Sequence, residues 1–285
     1  MTMASADTKS ERRAGRRALP IAVIVSFASM APLLWALMSS VRPGRDIFAA
    51  LYPFSWGTIF PAQVTLGNYV TLLSGPFARA LLNTVIVTVA SVAIGLAISS
   101  LAAFALAVIN FPSRGLLFAV MVVSFLIPFE AIAIPLSATF RNWGLQNTYL
   151  GLILPGVGNG LAIFLLRQFF LGVPISLSEA ARVDGLGWFG IYRHIYLPLS
   201  RGALVGAGII LFNFQWQAFL WPLLIAPARD MRVASVAIAD FAQEAGVDFG
   251  QMFAGAVLAA AVPLVVLIFF EKQFTGALAS SGLKE

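Results

Sequence analysis

The sequence predicts an all-α membrane protein with six transmembrane helices. Three observations lead there. Of 285 residues, 60% are hydrophobic and only 11% are charged, whereas about a quarter of the residues in a soluble domain are charged. Uncharged apolar runs recur at roughly the 20 residues that cross a bilayer as a helix. Basic residues gather on alternate connections between those runs. So few charges cannot cover a water-facing surface, so lipid is the solvent for most of the chain. There is no cysteine, which excludes disulfides and thiolate metal sites. One histidine, His194, leaves a histidine-based zinc site implausible and no metal site is expected. The net charge of +6 reads as topology control and not as nucleic-acid binding.

Taken in order, the chain opens with a basic tail, 1–17, carrying Lys9, Arg12, Arg13, Arg16 and Arg17 and expected to be mobile. This tail looks like the n-region of a signal peptide. The uncharged run after it, Ala18 to Val41, is too long for an apolar h-region and has no clean cleavage site. A retained first span, 18–41, is the better reading. The uncharged stretch from Ile47 to Ala78 is no span. Its Pro53, Gly57, Pro61, Gly67 and Asn68, with Trp56 and Tyr69, read as an extended loop with interfacial aromatics. Further spans fall at about 80–110, 115–138, 147–170, 201–226 and 250–271. A loop, 173–199, separates the fourth from the fifth. The membrane domain runs over 18–275, and 276–285 is a carboxy-terminal tail.

Six spans put both termini on one side. With the amino terminus inside, twelve basic residues lie in the cytoplasm: the five above, Arg114, Arg167, Arg182, Arg193, Arg201, Lys272 and Lys284. Six lie outside: Arg42, Arg45, Arg79, Arg141, Arg229 and Arg232. The bias favours cytoplasmic termini, and it puts the 173–199 loop in the cytoplasm too.

That loop carries the sharpest local signals. Ser176-Leu177-Ser178-Glu179 has the S-x-x-E form of a capping box. Small residues, Ala180 and Ala181, follow where another protein could come close. Gly185 suits the left-handed end of a helix. A second short helix, Trp188 to Tyr196, is expected next, with Trp188, Phe189 and Ile191 to bury and Pro198 opening the fifth span. The bland reading is that Glu179 only caps its helix and Gly185 only ends it.

Taken whole, the pattern is more specific. Glu179-Ala180-Ala181, three residues, Gly185, nine residues, then Ile195-Tyr196-Leu197-Pro198 resembles the signature loop of the membrane subunits of binding-protein-dependent ABC importers. Other passages resemble the smaller six-span subunit of the carbohydrate-uptake, maltose-type branch. These are Asn68-Tyr69 ahead of Asn83-Thr84, Phe111-Pro112-Ser113-Arg114-Gly115, the run from Pro128 and Glu130 to Pro135, and Phe219-Leu220-Trp221-Pro222. Gln215-Trp216-Gln217 departs from the branch's usual Trp-Asn, Leu186-Gly187 departs from its small polar pair, and the Gln273–Lys284 tail matches imperfectly.

The resemblance implies a type I ABC importer permease-like fold with a cytoplasmic coupling helix, in a bacterial or archaeal inner membrane. It implies a second permease subunit, two copies of an ABC ATPase that hold ATP and magnesium, and an extracytoplasmic solute-binding protein. The solute would be a sugar, an oligosaccharide or a related polyol or phosphodiester. By the same resemblance Glu179, Ala180, Ala181, Arg182, Asp184, Gly185, Ile195, Leu197 and Pro198 form the ATPase-coupling element. No residue of this chain would be catalytic. The residues agree on one point independently: none of Lys9, Lys272 and Lys284 follows a glycine, so no phosphate-binding G-x-x-x-x-G-K-[ST] loop exists here.

Three further groups are candidates. Glu130 is the one carboxylate well inside a predicted span, and it reads either as a solute-path group or as a buried acid satisfied by its neighbours. Asn213, Gln215, Trp216, Gln217 and Trp221 could hold a sugar through amides and aromatic faces, or could bond helix to helix. Asp230, Asp240 and Glu244 face outward, for the binding protein or simply for solvent. Two other functions compete. An ion-coupled secondary transporter acting without an ATPase favours internal repeats and paired buried ionisable groups, and neither is seen. A membrane-embedded enzyme needs a catalytic cluster that one histidine and one buried carboxylate do not supply.

Overall fold

The structure is a computed structural model that describes residues 4–49, 55–58, 60, 61, 63–242 and 247–282, with side chains from 19 to 270. Among these residues every regular element is helical. The elements are α1 (Ala4–Ser40), α2 (Gly67–Ser74), α3 (Pro76–Val108), α4 (Arg114–Leu126), α5 (Phe129–Asn142), α6 (Tyr149–Ile153), α7 (Gly160–Leu171), α8 (Ile175–Val183), α9 (Trp188–Ile191), α10 (Leu197–Leu199), α11 (Arg201–Trp216), α12 (Leu220–Ile225), α13 (Ala234–Asp240) and α14 (Phe249–Gly282). A single π-helical stretch, Tyr192–Tyr196, joins α9 to α10.

Three segments are continuous helices long and apolar enough to cross a membrane: Leu19–Ser40, Pro76–Val108 and Phe249–Phe270. Three helix pairs also qualify, each bent at a short break: Arg114–Leu126 with Phe129–Asn142 by 96°, Tyr149–Gly156 with Gly160–Leu171 by 43°, and Trp188–Leu199 with Arg201–Trp216 by 84°. The sharpest break has a local cause. Pro128 offers no N–H, and Ile127 before it is driven to extended backbone, φ −73° and ψ 120°. The predicted third span, 115–138, is therefore two helices. The predicted fifth span, 201–226, is interrupted between Trp216 and Leu220. The basic segment expected to be a mobile tail lies within α1 from Ala4 onward. Its Ala, Ser, Glu, Lys and Arg residues contain no proline before Pro20, so nothing local stops a helix. Likewise α14 continues to Gly282, through most of the predicted terminal tail.

The chain packs as two compact units. One comprises residues 1–74 and 241–257. Here the Asn68 amide donates to the carbonyls of Ser40 and Arg42, at 2.9 and 2.7 Å, closing the carboxy end of α1. Tyr69 and Ser40 share a hydrogen bond of 2.7 Å. Arg42, buried, donates to the carbonyls of Gly57 and Thr58; desolvation holds its guanidinium below the ordinary arginine range. Among its described residues, the stretch expected to be an extended loop thus gains α2 and one 3-10 turn, Trp56–Thr58, because these bonds give its backbone fixed partners. Trp35 packs edge-on to Phe253, and Phe48 edge-on to Phe249.

The other unit comprises residues 75–240 and 258–285. Helix α3 lies at its centre, packed on α7 and α11. Small side chains on α3, among them Ser91, Gly95, Ser99 and Ala103, are the ones that let these helices approach. One apolar cluster joins Ala103, Phe104, Leu166, Phe170, Ile191, Tyr192, Tyr196 and Ala207. A second joins Val87, Phe140, Leu152, Trp221, Ile225 and Val236.

Candidate functional site

The loop between α7 and α11 is built as two short helices with one bolted face and one free face. Pro174 presets a φ of −56° and α8 starts at Ile175. Ser176 is thus already inside the helix and no side chain caps it. The capping box read from the sequence is not formed. Ser178 turns inward instead: it is buried and shares a hydrogen bond of 3.0 Å with the Tyr196 hydroxyl. Gly185 ends the helical turn with a φ of +86°, as expected, and a side chain there would meet open space. Arg182 stacks its guanidinium over Trp188, 4.6 Å from the ring centre, which ties α8 to α9.

The bolted face is aromatic. Tyr192 shares a buried hydrogen bond of 2.7 Å with Ser100 of α3. The Phe104 ring lies 5.3 Å from Tyr192, 5.0 Å from Tyr196 and 6.4 Å from Phe170. The π-helical turn accommodates both tyrosines on this face, and π-turns are frequent at functional sites. Sequence reasoning did not single out Ser100 or Tyr192, and it gave Ser178 and Tyr196 no part in holding the loop. The available signal was two tyrosines four residues apart in a loop, which puts them on one side of a helix.

The predicted coupling residues divide between the faces. Glu179, Ala180, Arg182, Asp184, Gly185 and Pro198 are exposed. Ala181 is buried in the cluster around Phe104, so its smallness serves this chain's own packing and not the approach of a partner. Ile195 and Leu197 are half-buried against the same cluster. Of the three side chains expected to be buried, only Ile191 is; Trp188 and Phe189 are exposed, along with Ile175, Leu177 and Val183. Pro198 belongs to α10, and α11 begins only at Arg201.

Glu130 is exposed in the first turn of α5, just after the Pro128 break. The reading of a buried, satisfied acid is therefore set aside. The amide–aromatic cluster also separates. Trp216 is buried and donates to the carbonyl of Ala259 at 2.9 Å. Trp221 is buried and donates to the carbonyl of Gly151 at 2.9 Å, with Phe129 and Phe140 against its ring. Both tryptophans hold helices together. Asn213 and Gln215 are half-buried, and Gln217 is exposed.

On the opposite end, Asp230 is exposed and Asp240 pairs with Arg232; Glu244 lies outside the described residues. The segment carrying them is fastened by side chains the sequence did not single out for the purpose. Asn83, fully buried, donates to the carbonyls of Asp230 and Arg232 at 2.8 and 2.9 Å and accepts from Tyr149 at 2.8 Å. Thr84 accepts from the Ala234 N–H, and Asn147 from that of Ala228. Among the described residues no three His, Cys, Asp or Glu side chains stand together as a metal site would need.

The comparisons bear on this arrangement as a whole. Residues 95–280 match the family described as binding-protein-dependent transport system inner membrane component. The chain is 32% identical over 263 residues to the arabinooligosaccharides transport system permease protein AraQ of Halalkalibacterium halodurans, covering 91% of this chain and 93% of that one. It is 32% identical over 259 residues to the sn-glycerol-3-phosphate transport system permease protein UgpE of Agrobacterium fabrum, covering 88% and 90%. A chain of a bacterial ABC transporter that imports the acidic polysaccharide alginate superposes with a TM-score of 0.78 at 19% identity, over 93% of this chain and 97% of that one. The all-α fold with its bent spans is thus that of a type I ABC importer permease. With two thirds of its length matched by the family and nearly all of it by such relatives, the chain belongs to the inner membrane components of binding-protein-dependent transport systems.

Proposed function

We propose that this subunit forms half of the translocation path of an ATP-driven importer for a sugar, an oligosaccharide or a related polyol phosphate, and that its 173–199 loop couples the path to a separate ATPase. Family membership sets aside the ion-coupled transporter acting alone. The observation that carries the coupling reading is the two-faced loop. Its inner face is joined to α3 and α7 through Phe104, Tyr192 and Tyr196, while Glu179, Ala180, Arg182, Asp184 and Gly185 stay exposed. A push on the free face would therefore move the spans instead of folding the loop over. Exposed Leu177, Val183 and Phe189 beside those charges suit a protein partner, since an exposed apolar patch with a polar rim marks such contacts.

In this reading Glu179 pairs with a basic residue of the ATPase, Ala180 and Gly185 allow close approach, and ATP with magnesium is bound and hydrolysed in that partner. Closure of two ATPase copies draws this loop and that of a second, companion permease subunit together and turns the path outward, toward the docked binding protein. The termini and the loop are cytoplasmic, in line with the twelve-to-six basic bias. Glu130, Asn213, Gln215 and Gln217 are the polar candidates to line the path, and Asp230, Asp240 and Glu244 are those to meet the binding protein. The relatives named for arabinooligosaccharide, lactose and sn-glycerol-3-phosphate transport support a polyhydroxylated solute.

The test is co-purification with the ATPase for wild type, Glu179→Ala and Gly185→Asp, with ATPase activity stimulated by the binding protein read in the same samples. Loss of association or of stimulation, with the membrane subunit still folded, is the expected result. Unchanged assembly and stimulation would make Glu179 a plain helix residue and move the coupling contact elsewhere.

A further inference from the structure

We propose that Arg114 and Arg167 form a binding site for the phosphate of an anionic phospholipid, at the membrane end shared by α3, α4 and α7. The site goes beyond the transport reading and does not depend on the coupling contact. Arg114 opens α4 and Arg167 lies one turn from the end of α7. Each gives one hydrogen bond to the carboxy-terminal carbonyls of α3: Arg114 to Ile109 at 3.3 Å and Arg167 to Leu106 at 3.2 Å. The accepting carbonyls are those of Leu106, in the last turn of α3, and Ile109, the residue just past its end, so both guanidinium groups are drawn to the same end of one helix. Arg167 is held flat over Phe118 at 3.9 Å, and Phe118 stacks on Phe164.

Helix-end capping alone does not account for this pair. A guanidinium carries five donors, and one from each arginine reaches α3. Among the described residues neither arginine has a carboxylate within ion-pair distance, although both are half-buried. Two like charges held side by side with donors to spare attract an anion. One helical turn from each arginine, toward the membrane middle, stands an exposed apolar side chain: Leu117 beyond Arg114 and Phe164 beyond Arg167. Paired cations with apolar surface running away from them match a phosphodiester headgroup with acyl chains. Basic pockets between spans on the cytoplasmic side take anionic headgroups, and the basic bias puts this end on that side.

The experiment uses the transporter assembled with its partner subunits in nanodiscs of phosphatidylcholine doped with phosphatidylglycerol, with retained lipid counted by native mass spectrometry. Wild type should prefer phosphatidylglycerol at this site by roughly 30-fold, the worth of two basic residues at an anionic surface. Arg114→Gln with Arg167→Gln should lose one retained phosphatidylglycerol, and 10 mM (about) inorganic phosphate should not displace it from wild type. Equal retention of both lipids by wild type overturns the proposal without any variant, so a misfolded variant cannot shelter it. Equal phosphatidylglycerol counts in wild type and the folded double variant would reduce the arginines to caps of α3. Displacement by phosphate would make the ligand a free anion. Each of these two results also overturns the lipid assignment.

Discussion

Replacing Phe104 with alanine should release the 173–199 loop from the spans while leaving its free face untouched. Phe104 is buried on α3, and its ring meets one ring of α7 and two of the loop. Where lipid is the alternative solvent the transfer gain is small, so the cavity decides the cost. A lost ring of roughly 100 Å³ at about 24 cal/mol per Å³ gives about 2.4 kcal/mol. The loss of edge-to-face pairing adds about 0.5–1.5 kcal/mol. The opening equilibrium of the loop should therefore shift by roughly 50-fold or more. Hydrogen–deuterium exchange of the 188–199 amides in the assembled transporter reads that shift directly. Peptides from α14 serve as the internal control. Phe104→Leu, which fills most of the volume, should show a much smaller change. ATPase activity in the variant should continue but follow the binding protein less closely. If Phe104→Ala leaves the exchange of 188–199 unchanged, the aromatic cluster does not hold the loop, and the transmission route through α3 is wrong.

Asn83→Ala should cost about 3 kcal/mol locally, from three hydrogen bonds at about 1 kcal/mol each, and should raise amide exchange over 228–234 by about two orders of magnitude with little change near Gly185. Gly151→Ala should destabilise the protein by about 2 kcal/mol, because a methyl there collides with the backbone carbonyl of Leu145. Gly156→Ala should be milder in a thermal melt, since the atom it meets is the tip of the Gln215 side chain, and Gln215→Ala should abolish even that cost. Trp221→Phe should keep the ring contacts, lose the bond to Gly151 and lower stability by about 1 kcal/mol without changing the solute KM, whereas Gln217→Ala should do the reverse in an uptake assay.

The class of fold was legible because bilayer thickness and the cost of charge act on composition over long runs. The helical class, the long apolar runs at Leu19–Ser40, Pro76–Val108 and Phe249–Phe270 and the left-handed Gly185 all follow from such local or averaged signals. What sequence reading could not reach were pairings across the chain. Ser178 read as part of a capping pattern, but Pro174 started the helix early and the partner, Tyr196, lies on the next helix. For Trp216 and Trp221 the sequence left sugar stacking and helix-to-helix bonding both open, because the indole acceptors that decide it are carbonyls 43 and 70 residues away. Glu130 read as lying well inside a span, as a path group or a buried acid, because the run around it is apolar, whereas Pro128 turns the helix and brings the acid to a helix start. Asn68 and Asn83 sat in recognisable passages, yet nothing near either one showed that each would bridge two carbonyls.

The Asn83 bridge also sets an order of assembly. Its acceptors are 147 and 149 residues further along the chain, beyond α11 and α12. While the ribosome is still delivering the middle spans, Asn83 has no carbonyl of Asp230 or Arg232 to bind, and its amide must stay wet or find a makeshift partner. Contacts of such long range close late. This end of the unit therefore latches only after α11 and α12 have been made, and until then the start of α3 lacks its Asn83 anchor. A chain truncated before residue 230 should accordingly insert its early spans yet never lock them, leaving a loose bundle for membrane proteases to clear.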